Sequence, residues 1–214
     1  MDNKINGYLG KIFLCSFLIA PLYSSAQMHS NHQMSMDHSK AKPVYLAMMD
    51  SMMIDMDRVS GQTVDSDFVI RMIPHHQGAI AMSRYQILHG KNVEMIQLAK
   101  SILTEQQVEV QLMRKWIEDK SGNGAPTGAD YSTQLIRSMN LMMKDLPQAD
   151  KLKDLDEAFA LVMIPHHQAA IDMARAAIPF LKDPEKLSFA QALISNEKIE
   201  IEQMLNYLRK KNEK

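Results

Sequence analysis

The sequence predicts an all-α protein: a four-helix bundle made from two duplicated helical hairpins, with a short methionine-rich helix added to each. Three observations carry that expectation. The stretch MIPHHQGAIAM at residues 72–82 returns as MIPHHQAAIDM at residues 163–173, 91 positions later. The repetition is gapless beyond the motif, since Phe68, Arg84, Glu109 and Met113 find Phe159, Arg175, Glu200 and Met204 at the same offset. Between its glycine and proline stops the chain has helical rather than alternating periodicity. Repeated units of this length bury their apolar faces on each other, and two helical hairpins doing so make one bundle.

Residues 1–26 carry Lys4 and Lys11, an apolar run over 12–20, and small residues at Ser24 and Ala26. This is the layout of a secretory signal peptide cleaved after Ala26. The apolar run is too short to cross a bilayer comfortably. The expected location is therefore periplasmic or otherwise exported, with no membrane span after cleavage; a retained N-terminal anchor is the alternative. Cys15, the chain's one cysteine, lies in this segment and lacks the neighbouring small residues of a lipoprotein site. The exported chain then has no thiolate for a disulfide or a metal. Residues 27–42 are polar and aperiodic, as a disordered tail is. Met28, His29, His32, Met34, Met36 and His38 make it either a linker or a metal-capturing arm.

The first helical repeat is expected over residues 43–120 and the second over 131–214, joined by the glycine- and proline-bearing linker 121–130. In the first, a Met-rich helix over 43–60 precedes a long helix over 65–89, stopped by Gly90, and a return helix over 92–119. In the second, the helices are expected over 131–145, 150–178, stopped by Pro179, and 183–212. Pro74 and Pro165 fall inside the motif helices and should kink or restart them. The carbonyl of Ile70, freed by Pro74, would then be available to orient an imidazole.

A net charge of −1 gives no basic field for nucleic acid and names no partner by electrostatics. The unusual counts are 19 methionines and 8 histidines, four of the latter in the two motifs. On an ideal helix Met72, His75, His76, Ala79 and Met82 fall within about 120°, two thioethers and two imidazoles around a small alanine. Met163, His166, His167, Ala170 and Met173 repeat this. The return helices place Gln106, Glu109, Met113 and Trp116, and then Glu197, Glu200, Met204 and Tyr207, on one face each. A buried glutamate costs several kcal/mol unless paired, and His75 or His76 is the natural partner for Glu109. Di-iron bundles use Glu-x-x-His; here the spacing is Met72-x-x-His75 and Met163-x-x-His166. Thioether in place of carboxylate moves the preferred metal toward copper, Cu(I) above all, whereas zinc gains little from methionine. A methionine stripe also packs well as core, the alternative for Met48, Met49, Met52, Met53 and Met56 and for Met139, Met142 and Met143. His89, at a helix C-terminus, reads as structural.

At these residues the chain resembles the bacterial family catalogued as domain of unknown function 305. Its signature is Phe-x-x-x-Met-Ile-Pro-His-His-Gln-x-Ala-Ile-x-Met followed by Gln-x-x-Glu-Ile-x-x-Met-x-x-Trp. The first part is complete at residues 68–82 and 159–173, while the second departs at Val110, Glu197 and Tyr207. The resemblance implies a ferritin-like bundle, export to the periplasm and, for some members, copper binding through methionine and histidine with a role in copper resistance.

The expected function is thus an exported protein that sequesters or carries Cu(I), with Cu(II) or silver as further cargo; the sequence leaves open whether the ion is stored, exported or passed to a transfer partner, whose identity it does not give. The candidate ligands are Met72, His75, His76, Met82 and Met113, and Met163, His166, His167, Met173 and Met204, with at least one site per repeat. Glu109 and Glu200 are expected to hold histidines rather than bind the ion. Adjacent histidines are about 100° apart on a helix, so the two of a pair need not share an ion. Binding should weaken as imidazole protonates through about pH 6 to 7. No catalytic residue is assigned. A ferritin-like metal oxidase would instead need bridging by Glu109, Glu197 or Glu200, and a purely structural bundle would have both histidine pairs satisfied in the core.

Overall fold

The computed structural model describes residues 43–118 and 124–213, so the signal peptide and Met/His tail expected over 1–42 lie outside the described residues. Six helices follow in order: α1 (Val44–Asp57), α2 (Val64–His89), α3 (Val93–Glu118), α4 (Ala129–Asp145), α5 (Leu155–Ala177) and α6 (Pro184–Asn212), with a 3₁₀ turn at Ala149–Lys151. Among the described residues the only strand-like pairing is an isolated bridge between Thr63 and Pro126. The protein is all-α, as its periodicity predicts.

Local chemistry sets the helix ends. Thr63 and Ser66 form a reciprocal capping box at the start of α2, and Asp183 caps α6 with Pro184 in its first turn. Helix α5 starts later than the expected residue 150. The Asp154 carboxylate accepts from the Glu157 amide and fixes the start at Leu155. Gly90 ends α2 with φ of −66°, an ordinary value. What requires glycine there is space, because a Cβ would stand 2.8 Å from Asp156 Oδ1.

Helices α2 and α5 run unbroken through Pro74 and Pro165, so the expected restart does not occur. An interior proline costs about 3 kcal/mol. Here both prolines are buried in helices packed against several neighbours, which hold the helix continuous across the missing bond.

The bundle is built from α2, α3, α5 and α6. Helix α2 packs most extensively on α3 and α5 on α6; α2 meets α5 across the centre, α3 touches α6, and α1 and α4 lie on α2 and α5. Two buried carboxylates related by the repeat tie the halves together. Asp65, in the first turn of α2, accepts from the Lys182 and Asp183 amides just before α6 at 2.9 to 3.2 Å. Its counterpart Asp156, in the first turn of α5, accepts from the Lys91 and Asn92 amides just before α3 at 3.0 to 3.1 Å. The start of α5 therefore sits at the end of α2, which makes α2 and α5 antiparallel and relates the repeats by an approximate two-fold axis. A Lys210–Glu94 ion pair, from the end of α6 to the start of α3, agrees with this.

Methionines fill much of the core. Met49, Met52 and Met56 of α1 and Met142 of α4 are buried, each worth about 1.5–3 kcal/mol of burial, while Met143 is 39% exposed. His89 lies on the surface and stacks on Tyr85 with ring centroids 4.3 Å apart, the structural place expected for it.

Candidate metal centre

Antiparallel crossing of α2 and α5 brings the two motifs face to face. His75, His76, His166 and His167 are all fully buried. The closest rings belong to different repeats: His75 and His166 lie 3.9 Å apart between centroids. Within each repeat the rings are farther apart, 6.3 Å for His75 and His76 and 5.7 Å for His166 and His167. The histidines thus form one continuous row across the pseudo-two-fold axis instead of two separate pairs.

Most of the row is held through Nε2. His76 Nε2 meets Glu109 Oε2 at 2.8 Å and His167 Nε2 meets Glu200 Oε2 at 2.8 Å. These are equivalent contacts from α3 and α6, and they select His76 rather than His75 as the partner of Glu109. His166 Nε2 donates to the His75 carbonyl at 3.1 Å. The acceptor is thus the His75 carbonyl, not the Ile70 carbonyl freed by Pro74. The Nδ1 atoms of all four histidines have no hydrogen-bond partner, and neither has Nε2 of His75. Buried polar groups are ordinarily satisfied, and each orphan costs about 1–3 kcal/mol. Nε2 held by carboxylate or carbonyl with Nδ1 free is the arrangement of histidines that bind metal, the outer hydrogen bond fixing the tautomer and the ring.

Burial controls the charge of the row. Desolvation, then repulsion from His166, His76 and His167, holds His75 well below the ordinary histidine value. His166 is lowered by desolvation and by repulsion from His167 and His76, against the raising effect of its bond to the His75 carbonyl, and desolvation takes His167 down to about 3. Desolvation pushes Glu200 up to about 7, with Glu109 adding repulsion, and raises Glu197 well above the usual carboxylate range. Burial thus takes His75, His166 and His167 below the window of about 6 to 7 expected for imidazole, and brings Glu200 into it.

The thioethers expected as ligands share this interior. Met72, Met82, Met113, Met163, Met173 and Met204 are each at most 1% exposed and belong to the same core cluster. The tail residues Met28, His29, His32, Met34, Met36 and His38 lie outside the described residues.

Residues that the spacing did not single out as ligands complete the site on α3 and α6. Gln106 Nε2 donates to Glu197 Oε1 at 3.2 Å, and Asn196 Nδ2 donates to Glu105 Oε1 at 2.5 Å, both across the two-fold at an offset of 91. Glu197 Oε2 stands 3.1 Å from His167 Nδ1, and neither atom has a hydrogen bond. One donor atom from each of His167, Glu197 and Glu200 lies within 4.8 Å of the other two. The signal for Glu197 was its place three residues before Glu200 on the inward face.

Comparison with known proteins agrees with this architecture. A profile of the family described as Domain of unknown function (DUF305) matches residues 18–117 and 112–208. The chain belongs to that family. Two solved structures of CopM are similar. The Ag-bound form, obtained by soaking, has a TM-score of 0.53 and 27% identity over 70% of this chain and 98% of CopM. The Cu(II)-bound form has a TM-score of 0.53 and 26% identity over 68% and 96%. A DUF305 fragment from Deinococcus radiodurans, with a TM-score of 0.51 and 19% identity over 71% and 99%, shares the fold. No curated protein matches. Two departures from the family signature, Glu197 and Tyr207, are buried on α6. No helix among the described residues is long and apolar enough to cross a membrane.

Proposed function

We propose that the protein binds copper as cargo, Cu(I) foremost, in the buried histidine row and its surrounding thioethers, and that it sequesters or carries the ion in an exported compartment as part of copper handling. The observation that carries this reading is the set of four fully buried Nδ1 atoms without partners, beside Nε2 atoms held by Glu109, Glu200 and the His75 carbonyl. A purely structural cluster would leave those nitrogens as uncompensated cost. A soft ion bound by imidazole and thioether would use them.

The proposed donors are His75, His76, His166 and His167 with Met72, Met82, Met113, Met163, Met173 and Met204. Glu109 and Glu200 orient His76 and His167. Silver, which is soft and monovalent, and Cu(II) are the ions named for CopM, and both support a copper-class cargo. Thioethers suit export because they bind Cu(I) without forming disulfides, at the risk of oxidation to sulfoxide.

The test is an anaerobic Cu(I) titration against a competing chelator, with wild type beside His75→Ala and a variant with all four histidines changed to alanine. Circular dichroism confirms that each variant is folded. The expected result is weaker binding in His75→Ala and, in the fourfold variant, no binding beyond that of a peptide covering residues 27–42. Unchanged affinity in a folded His75→Ala protein would overturn the assignment.

A further inference from the structure

His167 differs from the other three histidines in what its free nitrogen faces. With Nε2 held by Glu200, its Nδ1 lies 3.1 Å from Glu197 Oε2, and both atoms are buried and without a hydrogen bond. A neutral imidazole has one N–H, so it satisfies only one of two flanking carboxylates. The other contact sets a nitrogen lone pair against a carboxylate oxygen, which is repulsive unless a proton or a cation lies beside both. Glu197 is not free to turn away. Its Oε1 accepts from Gln106 Nε2 at 3.2 Å, which leaves Oε2 directed to His167.

We propose that His167 Nδ1 and Glu197 Oε2 form a nitrogen- and oxygen-donor site for a divalent transition-metal ion, present in the second repeat alone, with Glu200 orienting His167 through Nε2. The proposal deepens the copper reading by separating two kinds of ion: soft monovalent at the thioether-rich row, harder divalent at this end of it. Two donors 3.1 Å apart, each about 2.1 Å from an ion, subtend about 95° at it. That angle suits the tetragonal geometry of Cu(II) and octahedral Co(II) better than a linear soft-ion site.

The first repeat has no such site because Gln106 stands where the second has Glu197. An amide donates to its counterpart across the two-fold, whereas a second carboxylate there would repel it. The same single difference removes the charge from one repeat and positions the acid of the other.

Two ions separate the outcomes. Co(II) reports a nitrogen/oxygen site through its visible d–d absorption, and Ag(I) reports soft-ion binding in a competition assay. Wild type is expected to bind one Co(II) per chain at this site, and Glu197→Gln to weaken it about 100-fold, the upper end of what loss even of an outer partner costs. Ag(I) affinity should be unchanged in Glu197→Gln. Glu105→Gln, which makes the same change of charge on the facing helix, should leave Co(II) binding as in wild type. The proposal is overturned if Glu197→Gln keeps the Co(II) spectrum and affinity, or if Glu105→Gln loses them equally. Absence of Ag(I) binding in wild type would instead sink the copper reading and leave the divalent site standing.

Discussion

The charge state of the buried row predicts how the metal-free protein responds to acid. A group with its folded pKa depressed, as in His75, His166 and His167, refuses a proton that the unfolded chain accepts below about 6.5, so stability falls with falling pH. A raised carboxyl does the opposite. Glu197 and Glu200 keep protons that the unfolded chain releases above about 4.5, so between there and the folded value stability falls with rising pH. Near pH 5.5 both effects operate. Three histidines against two carboxyls leave a net difference of one proton, or roughly 1.4 kcal/mol of stability lost per unit of acidification. In Glu197→Gln/Glu200→Gln the opposing pair is gone and three protons remain, about 4 kcal/mol per unit. Groups that the two acids do not touch are common to both proteins, which leaves an expected difference of about 3 kcal/mol per pH unit. Urea unfolding at several pH values between 4.5 and 6.5, in chelator, measures it. Slopes that agree within about 1 kcal/mol per unit would show that the native carboxyls are ionised there and refute the reasoning.

Two further outcomes follow from packing and capping. Asp65→Ala and Asp156→Ala each orphan a pair of amides before α6 or α3, so each should lose about 1–3 kcal/mol per unsatisfied amide in urea unfolding. Gly78→Ala would place a Cβ 2.8 Å from Met52 Sδ and 2.9 Å from its Cγ. Overpacking of about 1–3 kcal/mol then outweighs the roughly 1 kcal/mol gained in helix propensity, and in the Met52→Ala background the same substitution should stabilise the protein.

Much of the fold was legible because the duplication exposes it. A gapless offset of 91 means that a contact across the two-fold pairs a residue with its own copy, and His166 with His75, Gln106 with Glu197, and Asn196 with Glu105 all do so. What was not legible was the fate of the prolines and the start of α5. Proline's cost is local and predictable, but the tertiary packing that kept α2 and α5 continuous comes from residues distant in sequence. The Asp65 and Asp156 clamps were also out of reach, since their partners are backbone amides more than sixty positions away.

The site shows where periodicity stops informing. A helical wheel correctly put the histidines, the glutamates and the thioethers on inward faces, and all four histidines are buried there. It could not say that α2 and α5 cross at His75 and His166, which joins two expected sites into one row. Nor could it weigh Glu197, which in one dimension is a mild departure from a signature. In three dimensions that acid faces a histidine lone pair, held by an amide that its own repeat lacks. Duplication supplies identical halves, and the two-fold axis brings the copies together. A single amide-to-acid difference at that axis is therefore enough to give one half a donor set of its own, because like carboxylates meeting there would repel while an amide and a carboxylate bond.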